Sequence, residues 1–426
     1  MTEFYDTLET RDPATREAAL LAALPGHIAL AQQHTSAFAA SLAGVDAHSI
    51  NSRAALAQLP VVRKHQLLER QQALRADRSQ HEPFGGFSAI GWRGLSAGGG
   101  RGARRVFQSP GPIYEPEGEG ADYWRMARAI FAAGLRAGDL VHCSFSYHLT
   151  PAGAMMESGA HAVGCATFAG GIGNTELQLQ AVADLRPQAY IGTPSFLKIL
   201  VEKAAETGVD ISSLRKGLVG GEAFTPSLRD WFSARGLAVY QSYATADAGL
   251  IAYETPAREG LVLDEGVLLE IVRPGTGDPL PDGEVGEVVV TVFNPGYPLV
   301  RFGTGDLSAV LAGTCPSGRS NRRIKGWLGR ADQTTKVRGM FVHPGQVAEV
   351  ARRHVEVLKA RLVVEGEMAN DRMTLKVEVA GAPEGLAAAL AASTRDVTKL
   401  RAEVLLVAPG SLPNDGKVIE DARRYE

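Results

Sequence analysis

Short apolar runs alternate with amphipathic segments in the first half of this chain, and this alternation constrains the fold more than any other feature. Residues 139–145, 161–168 and 189–192 have the composition of buried strands, and residues 178–185 and 195–206 have helical patterns. Strands that alternate with helices favour a parallel sheet covered by helices on both faces. We therefore predict an α/β fold built on parallel-type sheets.

The flanking regions have different patterns. Amphipathic helices are predicted near the start of the chain and around its first parallel strands, at residues 13–42, 54–74 and 122–133. Alternating apolar residues predict antiparallel strands at residues 268–272 and 287–292, with a turn at 279–286, in a β subdomain covering about 260–325. The last hundred residues predict a small α+β domain, with helices at 344–358 and 383–400 and strands at 361–367, 374–379 and finally 402–407.

Length and composition exclude several classes of protein. The chain has 426 residues, of which 45% are hydrophobic and 21% charged, so it is too long for one ordinary domain. A formal net charge of -3 lacks the basic excess expected of a nucleic-acid binder. Neither a secretory signal nor an apolar run long enough to cross a membrane is predicted. With only three scattered cysteines, the chain fits a reducing compartment, and we expect a cytoplasmic protein without nucleic-acid or membrane partners.

Three segments rich in glycine and fixed charge are typical of functional loops. They are G-W-L-G-R-A-D-Q-T-T-K-V-R-G at residues 326–339, R-F-G-T-G-D-L at 301–307 and L-P-N-D-G-K at 412–417. Together they resemble the R-x-x-T-G-D-L, G-R-x-D-x-x-x-x-R-G and P-x-x-x-G-K motifs of the adenylate-forming enzymes. Within that superfamily the chain is most similar to the phenylacetate-coenzyme A ligase family.

The resemblance implies a division of the chain into a large and a small domain. Residues 1–329 would form the N-terminal adenylation domain and residues 330–426 a C-terminal lid domain, with Asp332 as the hinge. Lys417 would be the lid's catalytic ammonium, a group suited to bridging a carboxylate and a phosphate. Arg330 would steady the ribose or phosphate in the first half-reaction. The loop presented in the thioester-forming state would contain Lys336, Arg338 and Gly339.

A glycine-rich run at residues 95–107 precedes a predicted turn. Glycines allow backbone N–H groups to converge on a phosphate, although a run of this kind is also common in flexible surface loops. By resemblance, Ser96, Gly98, Gly99 and Gly100 would contact the ATP phosphates. Gly99 and Gly100 stand where the family has two threonines, and the family's lysine is absent.

Two further segments resemble the family's nucleotide-binding strands. They are G-L-V-G-G-E at residues 217–222 and V-Y-Q-S-Y-A-T-A-D at residues 239–247. Taken alone, the first could be a plain strand-to-helix turn, but the second follows it at the spacing found in the family, which weakens that interpretation. For Asp306 of the 301–307 motif, a functional role is favoured over capping of a turn. A carboxylate is a natural acceptor for two ribose hydroxyls. The resemblance assigns Tyr243 to stacking on adenine and Asp247 to catalysis and to Mg²⁺ bound with ATP. The remaining nucleotide-binding candidates are Gly220, Gly221, Glu222, Ala244, Thr245, Asp306 and Arg330.

The acyl group has its own candidate residues. Tyr147 and His148 follow a predicted strand, at the end where open α/β sheets bind ligands, although His148 could equally be a structural histidine. By resemblance these two residues and Tyr240 would line the acyl pocket. Ser317 stands where some relatives have a second metal-binding cysteine after Cys315, so we expect no structural zinc.

The predicted function is that of an ATP-dependent ligase joining an aryl or related carboxylic acid to coenzyme A through an acyl-adenylate, with ATP, Mg²⁺ and coenzyme A as cosubstrates or cofactors. The resemblance is compatible with a homodimer. Two alternatives remain open at this point. The acceptor could be a carrier protein or an amine, or the chain could be a nucleotide-binding protein that has lost turnover.

Overall fold

The computed structural model describes most of the chain in two compact units, Met1–Gly329 and Arg330–Glu426. The described residues are 3–76, 84–91, 102–328, 330–331, 333, 335–338, 340–342, 344–366, 371–381, 383–413 and 417–423. Within them, no helix is both long enough and apolar enough to cross a membrane.

The helices carry local signals that explain where they begin. They are α1 (Pro13–His34), α2 (Ser36–Ser41), α3 (Arg53–Leu56), α4 (Lys64–Ala76), α5 (Ala127–Ala132), α6 (Ala152–Val163), α7 (Thr175–Leu185), α8 (Pro194–Thr207), α9 (Pro226–Ser233), α10 (Pro344–Arg352) and α11 (Leu386–Thr398). Three of them start with a proline preceded by a capping side chain. The oxygens of Asp12, Thr193 and Thr225 accept hydrogen bonds from backbone N–H groups in the first turns of α1, α8 and α9.

The strands of the first unit fall into two main sheets and a hairpin. They are β1 (Val62–Arg63), β2 (Arg105–Ser109), β3 (Ile113–Glu117), β4 (Leu140–Cys143), β5 (Ala166–Ala169), β6 (Ala189–Gly192), β7 (Lys216–Val219), β8 (Ala238–Thr245), β9 (Gly249–Glu254), β10 (Leu261–Leu263), β11 (Val267–Val272), β12 (Gly286–Val292), β13 (Phe302–Ser308), β14 (Val310–Leu311) and β15 (Arg323–Ile324).

The larger sheet has the order β14-β15-β10-β9-β8-β7-β6-β4-β5. Its last five strands, from β8 to β5, are parallel. In β6 and the end of β7 every residue is buried, as expected for parallel strands covered on both faces. The predicted α/β fold with a parallel sheet is confirmed.

The second sheet has the order β1-β13-β12-β11, in which β11, β12 and β13 are antiparallel. The antiparallel pair predicted at residues 268–272 and 287–292 is therefore present. Strands β10, β14 and β15, which fall within 260–325, lie instead in the larger sheet. An apolar cluster joins this second sheet to α1 and α2 through residues such as Leu24, Phe38 and Val290.

The second unit is a small α+β arrangement. Its strands are β16 (Thr335–Val337), β17 (Met340–Val342), β18 (Val357–Glu365), β19 (Arg372–Val379), β20 (Glu403–Val407) and β21 (Ile419–Asp421). The order β20-β19-β18-β21 forms one sheet, and β16 and β17 form a hairpin. Its core contains residues of both helices and the central strands, including Val350, Leu375 and Leu390.

Several predicted boundaries were wrong. Helix α6 includes His161 and ends at Val163. The next residue, Gly164, has a φ of +94°, a backbone conformation that favours glycine. The strand predicted at 161–168 is therefore shortened to β5. The helix predicted at 122–133 begins later, at Ala127, the first residue of α5. The Asp122 carboxylate accepts hydrogen bonds from the backbone N–H groups of Met126 and Ala127, which lie at this start. Helix α10 ends at Arg352 and not at 358, and β20 is followed by another strand, β21.

Candidate active site

The topology of the larger sheet brings the carboxyl ends of five parallel strands to one edge. Along the sheet the strands β5-β4-β6-β7-β8 have the order 2-1-3-4-5 of a doubly wound fold, with its switch point between β4 and β6. Ligands of such folds bind outside the carboxyl ends of the strands near this point. The segments that follow β4, β7 and the end of β8 all reach this edge and contain several of the predicted site residues.

Tyr243 and Asp306 are brought together from different sheets. The Tyr243 hydroxyl donates a hydrogen bond to Asp306 Oδ2 at 2.8 Å, and its oxygen lies 3.1 Å from Thr304 Oγ1. The indole N–H of Trp327 donates to the other carboxylate oxygen of Asp306 at 3.0 Å. Asp306 lies within β13, so the sheet fixes its backbone.

The segment after β7 approaches β8 closely. A Cβ atom on Gly220 would lie 3.1 Å from the Ser242 carbonyl oxygen, and Gly221 has a φ of +76°. The Glu222 carboxylate accepts a bond from the Ser195 N–H group at the start of α8. Only small residues fit this turn, which leaves the backbone open to a flat ligand.

The end of β8 leads directly to Asp247. Ala244 and Thr245 are the last residues of β8, and the Thr245 hydroxyl accepts a bond from the Ala248 N–H group at 3.0 Å. This bond closes the turn that carries Asp247, which is buried. The turn thereby fixes the direction of the Asp247 carboxylate.

Asp247 lies in a charged cluster that the sequence analysis did not predict. Lys64 Nζ donates to Asp247 Oδ2 at 2.8 Å and lies 4.0 Å from Glu115 Oε1. Burial, and then the charge of Asp247, raise the pKa of Glu115 to about 8. Lys64 belongs to an L-P-x-x-x-K segment and Glu115 to a short hairpin strand, neither of which has a spacing that indicates chemistry.

The three acyl-pocket candidates lie in different surroundings. Tyr147 and Tyr240 are half-buried and contact the same apolar cluster, which includes Cys143, Phe145 and Met155. Burial, followed by the nearby Cys143 and Glu157 side chains, raises the pKa of Tyr147. His148 is exposed, and its backbone N–H and carbonyl groups both bond to the Ser146 hydroxyl.

The remaining candidates belong to the second unit or lie outside the described residues. Lys417 is exposed and lies two residues before β21, and the N–H group of the intervening Val418 donates to Gln333 Oε1 at 2.8 Å. Arg338 has a φ of +47° and donates from its guanidinium to the Asp371 carbonyl oxygen. Arg330 and Lys336 also belong to this unit. Ser96, Gly98, Gly99, Gly100, Asp332 and Gly339 lie outside the described residues.

Arg301, the first residue of the R-x-x-T-G-D-L segment, is a buried structural residue. Its guanidinium forms two bonds of 3.0 Å to the Glu270 carboxylate and also donates to the carbonyl oxygens of Ala57, Leu59 and Gly277. These bonds tie β13 to β11 and to the segment before β1. The R-x-x-T-G-D-L segment therefore also holds neighbouring parts of the fold together, through Arg301.

Cys315, where the sequence analysis expects no structural zinc, is a small buried residue. Cys315 Sγ lies 3.1 Å from the Ser317 hydroxyl and 3.5 Å from the Thr255 hydroxyl. Across the described part of the chain, no group of three or more His, Cys, Asp or Glu side chains is arranged to hold a metal ion.

Comparison with known proteins agrees with this geometry. Residues 124–293 match the family model for the AMP-binding enzymes. The phenylacetate-coenzyme A ligase of Aromatoleum evansii is 30% identical over 352 residues, covering 79% of this chain and 75% of that protein. A second phenylacetate-coenzyme A ligase, from Thermus thermophilus, is 33% identical over 263 residues, covering 60% of this chain and 59% of its own length.

A solved structure extends the similarity to nearly the whole fold. 2-Hydroxyisobutyryl-CoA ligase, in complex with 2-HIB-AMP and CoA, superposes with a TM-score of 0.82 at 25% identity, covering 98% of this chain and 92% of that one. The chain therefore belongs to the adenylate-forming, AMP-binding enzymes and is an ATP-dependent, AMP-forming acyl-CoA ligase of the phenylacetate-coenzyme A ligase-like family.

Proposed function

We propose that this ligase activates an aryl or related carboxylic acid as an acyl-adenylate and then transfers the acyl group to coenzyme A. The observation that carries the aryl assignment is the pair Tyr147 and Tyr240, two aromatic side chains bordering one apolar cluster near the carboxyl edge of the sheet. Aromatic rings favour other rings at offset or edge-to-face geometry, which selects flat acyl groups over short aliphatic ones. The named relatives in A. evansii and T. thermophilus act on phenylacetate, an acid of this class.

In this proposal the nucleotide lies across the ends of β7 and β8. Gly220 and Gly221 let the adenine approach the backbone, Tyr243 stacks on it, and Asp306 accepts hydrogen bonds from the ribose hydroxyls. Thr304 and Trp327 hold Tyr243 and Asp306 in position before the nucleotide arrives. A site ordered in advance loses less conformational entropy on binding.

Asp247 fits a role in binding Mg²⁺. Its Oδ1 atom is buried and has no hydrogen-bond partner among the described residues, and a carboxylate oxygen is the ligand type that Mg²⁺ prefers. The cation would neutralise charge on the ATP phosphates. Lys417 would supply the ammonium that stabilises the charge developing between the acid and the α-phosphate.

The first test separates the two half-reactions. Wild-type protein is expected to release pyrophosphate only with ATP and a suitable acid, and to release AMP when coenzyme A is added. Lys417→Ala should slow pyrophosphate release on the order of 10²-fold or more while retaining thioester formation from a supplied acyl-adenylate. Lys399→Ala, which removes an exposed lysine at the end of α11, is the matched control and should behave like wild type.

The panel of acids should include matched aryl and alkyl carboxylates, and the acceptors should include a carrier protein and an amine as well as coenzyme A. A preference for alkyl acids would refute the aryl assignment, and faster turnover with another acceptor would refute transfer to coenzyme A. If no acid in the panel supports pyrophosphate release although ATP binds, a nucleotide-binding protein without turnover becomes the better description. Unimpaired adenylation by Lys417→Ala would remove the proposed role of that lysine.

A further inference from the structure

Glu115 and Asp247 share one buried space although they belong to different parts of the fold. Glu115 lies on β3 and Asp247 on the turn after β8, and Lys64 at the start of α4 lies near both. The side chain of Glu115 is 2% exposed and that of Asp247 is 1% exposed. Two acidic side chains are therefore buried around one ammonium group.

Each carboxyl group has one oxygen that is bound and one that is not. Glu115 Oε1 accepts a hydrogen bond from the Ser109 hydroxyl, and Asp247 Oδ2 accepts one from Lys64. Glu115 Oε2 and Asp247 Oδ1 are buried and have no hydrogen-bond partner within the part of the chain that the structure describes. Buried polar oxygens are normally satisfied, and leaving a carboxylate oxygen unpaired is costly.

Tyr297 provides an independent observation at the same place. This residue is 2% exposed, and its hydroxyl also has no hydrogen-bond partner among the described residues. Burial, followed by the negative charges of Asp247 and Glu115, raises the pKa of Tyr297. Tyr297 is thus a third buried polar group, and it experiences the charge of the two carboxyl groups.

A divalent cation would satisfy this arrangement. When such a cation binds, both carboxyl groups would be ionised, and Lys64 offsets only one of their two negative charges. Mg²⁺ is commonly held by one or two carboxylates, completing its six ligands with water and phosphate oxygens. A site with only two carboxylates is thus sufficient when a nucleotide contributes the remaining ligands.

We propose that Glu115 Oε2 and Asp247 Oδ1 together bind the divalent cation that accompanies ATP, with Ser109 and Lys64 holding the opposite oxygens in place. The inference rests on the proposed nucleotide site and adds to it a second metal ligand from the β2–β3 hairpin.

The test measures cation binding directly. The full-length protein is saturated with α,β-methylene-ATP, in which the bond broken during adenylation is blocked, and titrated with Mn²⁺ while free Mn²⁺ is followed by electron paramagnetic resonance. Glu115→Gln should weaken Mn²⁺ binding about tenfold or more. Binding of the analogue in the absence of divalent cations should stay close to its wild-type value, because the glutamine does not touch the nucleotide.

Glu117→Gln is the matched control. Glu117 lies two residues farther along β3, is equally buried and pairs with Arg105 outside the cluster, so this variant tests for damage to the hairpin. It should retain wild-type Mn²⁺ affinity. Should Glu115→Gln not fold, Glu115→Asp supplies the same comparison, because it retains the charge and withdraws the oxygens by one methylene.

The outcomes separate this inference from the proposed function. If wild type binds the analogue and Mn²⁺ but the Glu115 variant has unchanged Mn²⁺ affinity, the second ligand is refuted and the nucleotide site stands. Equal weakening by Glu115→Gln and Glu117→Gln would also refute it, since the effect would then belong to the hairpin. If wild type does not bind the analogue at all, both proposals are refuted.

Discussion

At the scale of single residues, one motif contains both a carboxylate of the proposed nucleotide site and a structural cation. Asp306 is held by Tyr243 and Trp327 at the candidate nucleotide site, whereas Arg301, five positions earlier, is 2% exposed and enclosed by Glu270 and three carbonyl oxygens. The identity of a motif residue therefore does not reveal whether it contacts the substrate. Its neighbours in the folded chain decide that.

Replacing Arg301 by alanine should lower the free energy of unfolding of the first unit by about 3–5 kcal/mol, because the Glu270 carboxylate is left buried without its partner. Urea unfolding followed by circular dichroism measures this change. The matched control is Arg322→Ala, which breaks a pair exposed to solvent, with Asp282, and should cost about 1 kcal/mol or less. Similar losses in the two variants would contradict a structural role that depends on burial.

At the scale of helices and strands, local signals predicted whether an element forms better than they predicted where it begins and ends. The Thr193-Pro194 pair marks the start of α8 correctly, since the Thr193 hydroxyl accepts a bond from the first turn and Pro194 needs no such bond. Helix α6 is an exception that was not predicted, because the residues of its last turn were assigned to the strand predicted at 161–168, which the structure shortens to β5. Strand β21 was missed because three residues are too few to show a period, and only its parallel pairing with β18 defines it.

Two helical glycines provide a prediction at this scale. Gly26 on α1 is exposed, with no atom within 4 Å of an added Cβ, whereas a Cβ on Gly159 of α6 would lie 2.6 Å from Met126 Cβ and 3.0 Å from the Ala127 N atom. Gly26→Ala should therefore raise the free energy of unfolding by about 0.5–1 kcal/mol through the lower entropy of the unfolded chain.

Gly159→Ala should lower the same free energy by about 1–3 kcal/mol, because α6 must move away from α5 to accommodate the methyl group. The two substitutions have the same chemistry, so urea unfolding of the pair isolates the effect of helix packing. A stabilised Gly159→Ala variant would show that α5 and α6 have room between them.

At the scale of the whole molecule, sequence motifs identified candidate residues but not the tertiary contacts that surround them. Tyr243, Asp247 and Asp306 were identified because each lies in a segment with a recognisable spacing. Lys64 and Glu115 were not identified as site residues, because they reach Asp247 only through tertiary contacts between separate regions of the chain. Contacts of this kind leave no pattern in a single sequence.

The proposed alternation of the two units gives a prediction at this scale. Asp332 is the hinge implied by the family resemblance and lies outside the described residues, close to the division after Gly329. A hinge residue must adopt two backbone conformations. Proline cannot do this, because its ring fixes φ at about -65°. Asp332→Pro should therefore retain adenylation and lose thioester formation, with a melting temperature close to that of wild type.

Asp332→Ala is the control for this variant, since it removes the side chain without fixing φ, and it should retain both half-reactions. The two half-reactions are measured separately, as pyrophosphate release and as thioester formation from supplied acyl-adenylate. An equal decrease in both by Asp332→Pro, together with a lower melting temperature, would indicate an ordinary structural residue in place of a hinge.

The position of β21 has a consequence for how the enzyme is made. This strand completes the sheet of the second unit by pairing with β18, and Lys417 lies two residues before it. During synthesis the first unit leaves the ribosome and can fold early, whereas β18 stays without this neighbour until residues 419–421 emerge. With Lys417 in its proposed role, a nascent chain could hold nucleotide before it could activate an acid, so reactive acyl-adenylates would not form on unfinished protein.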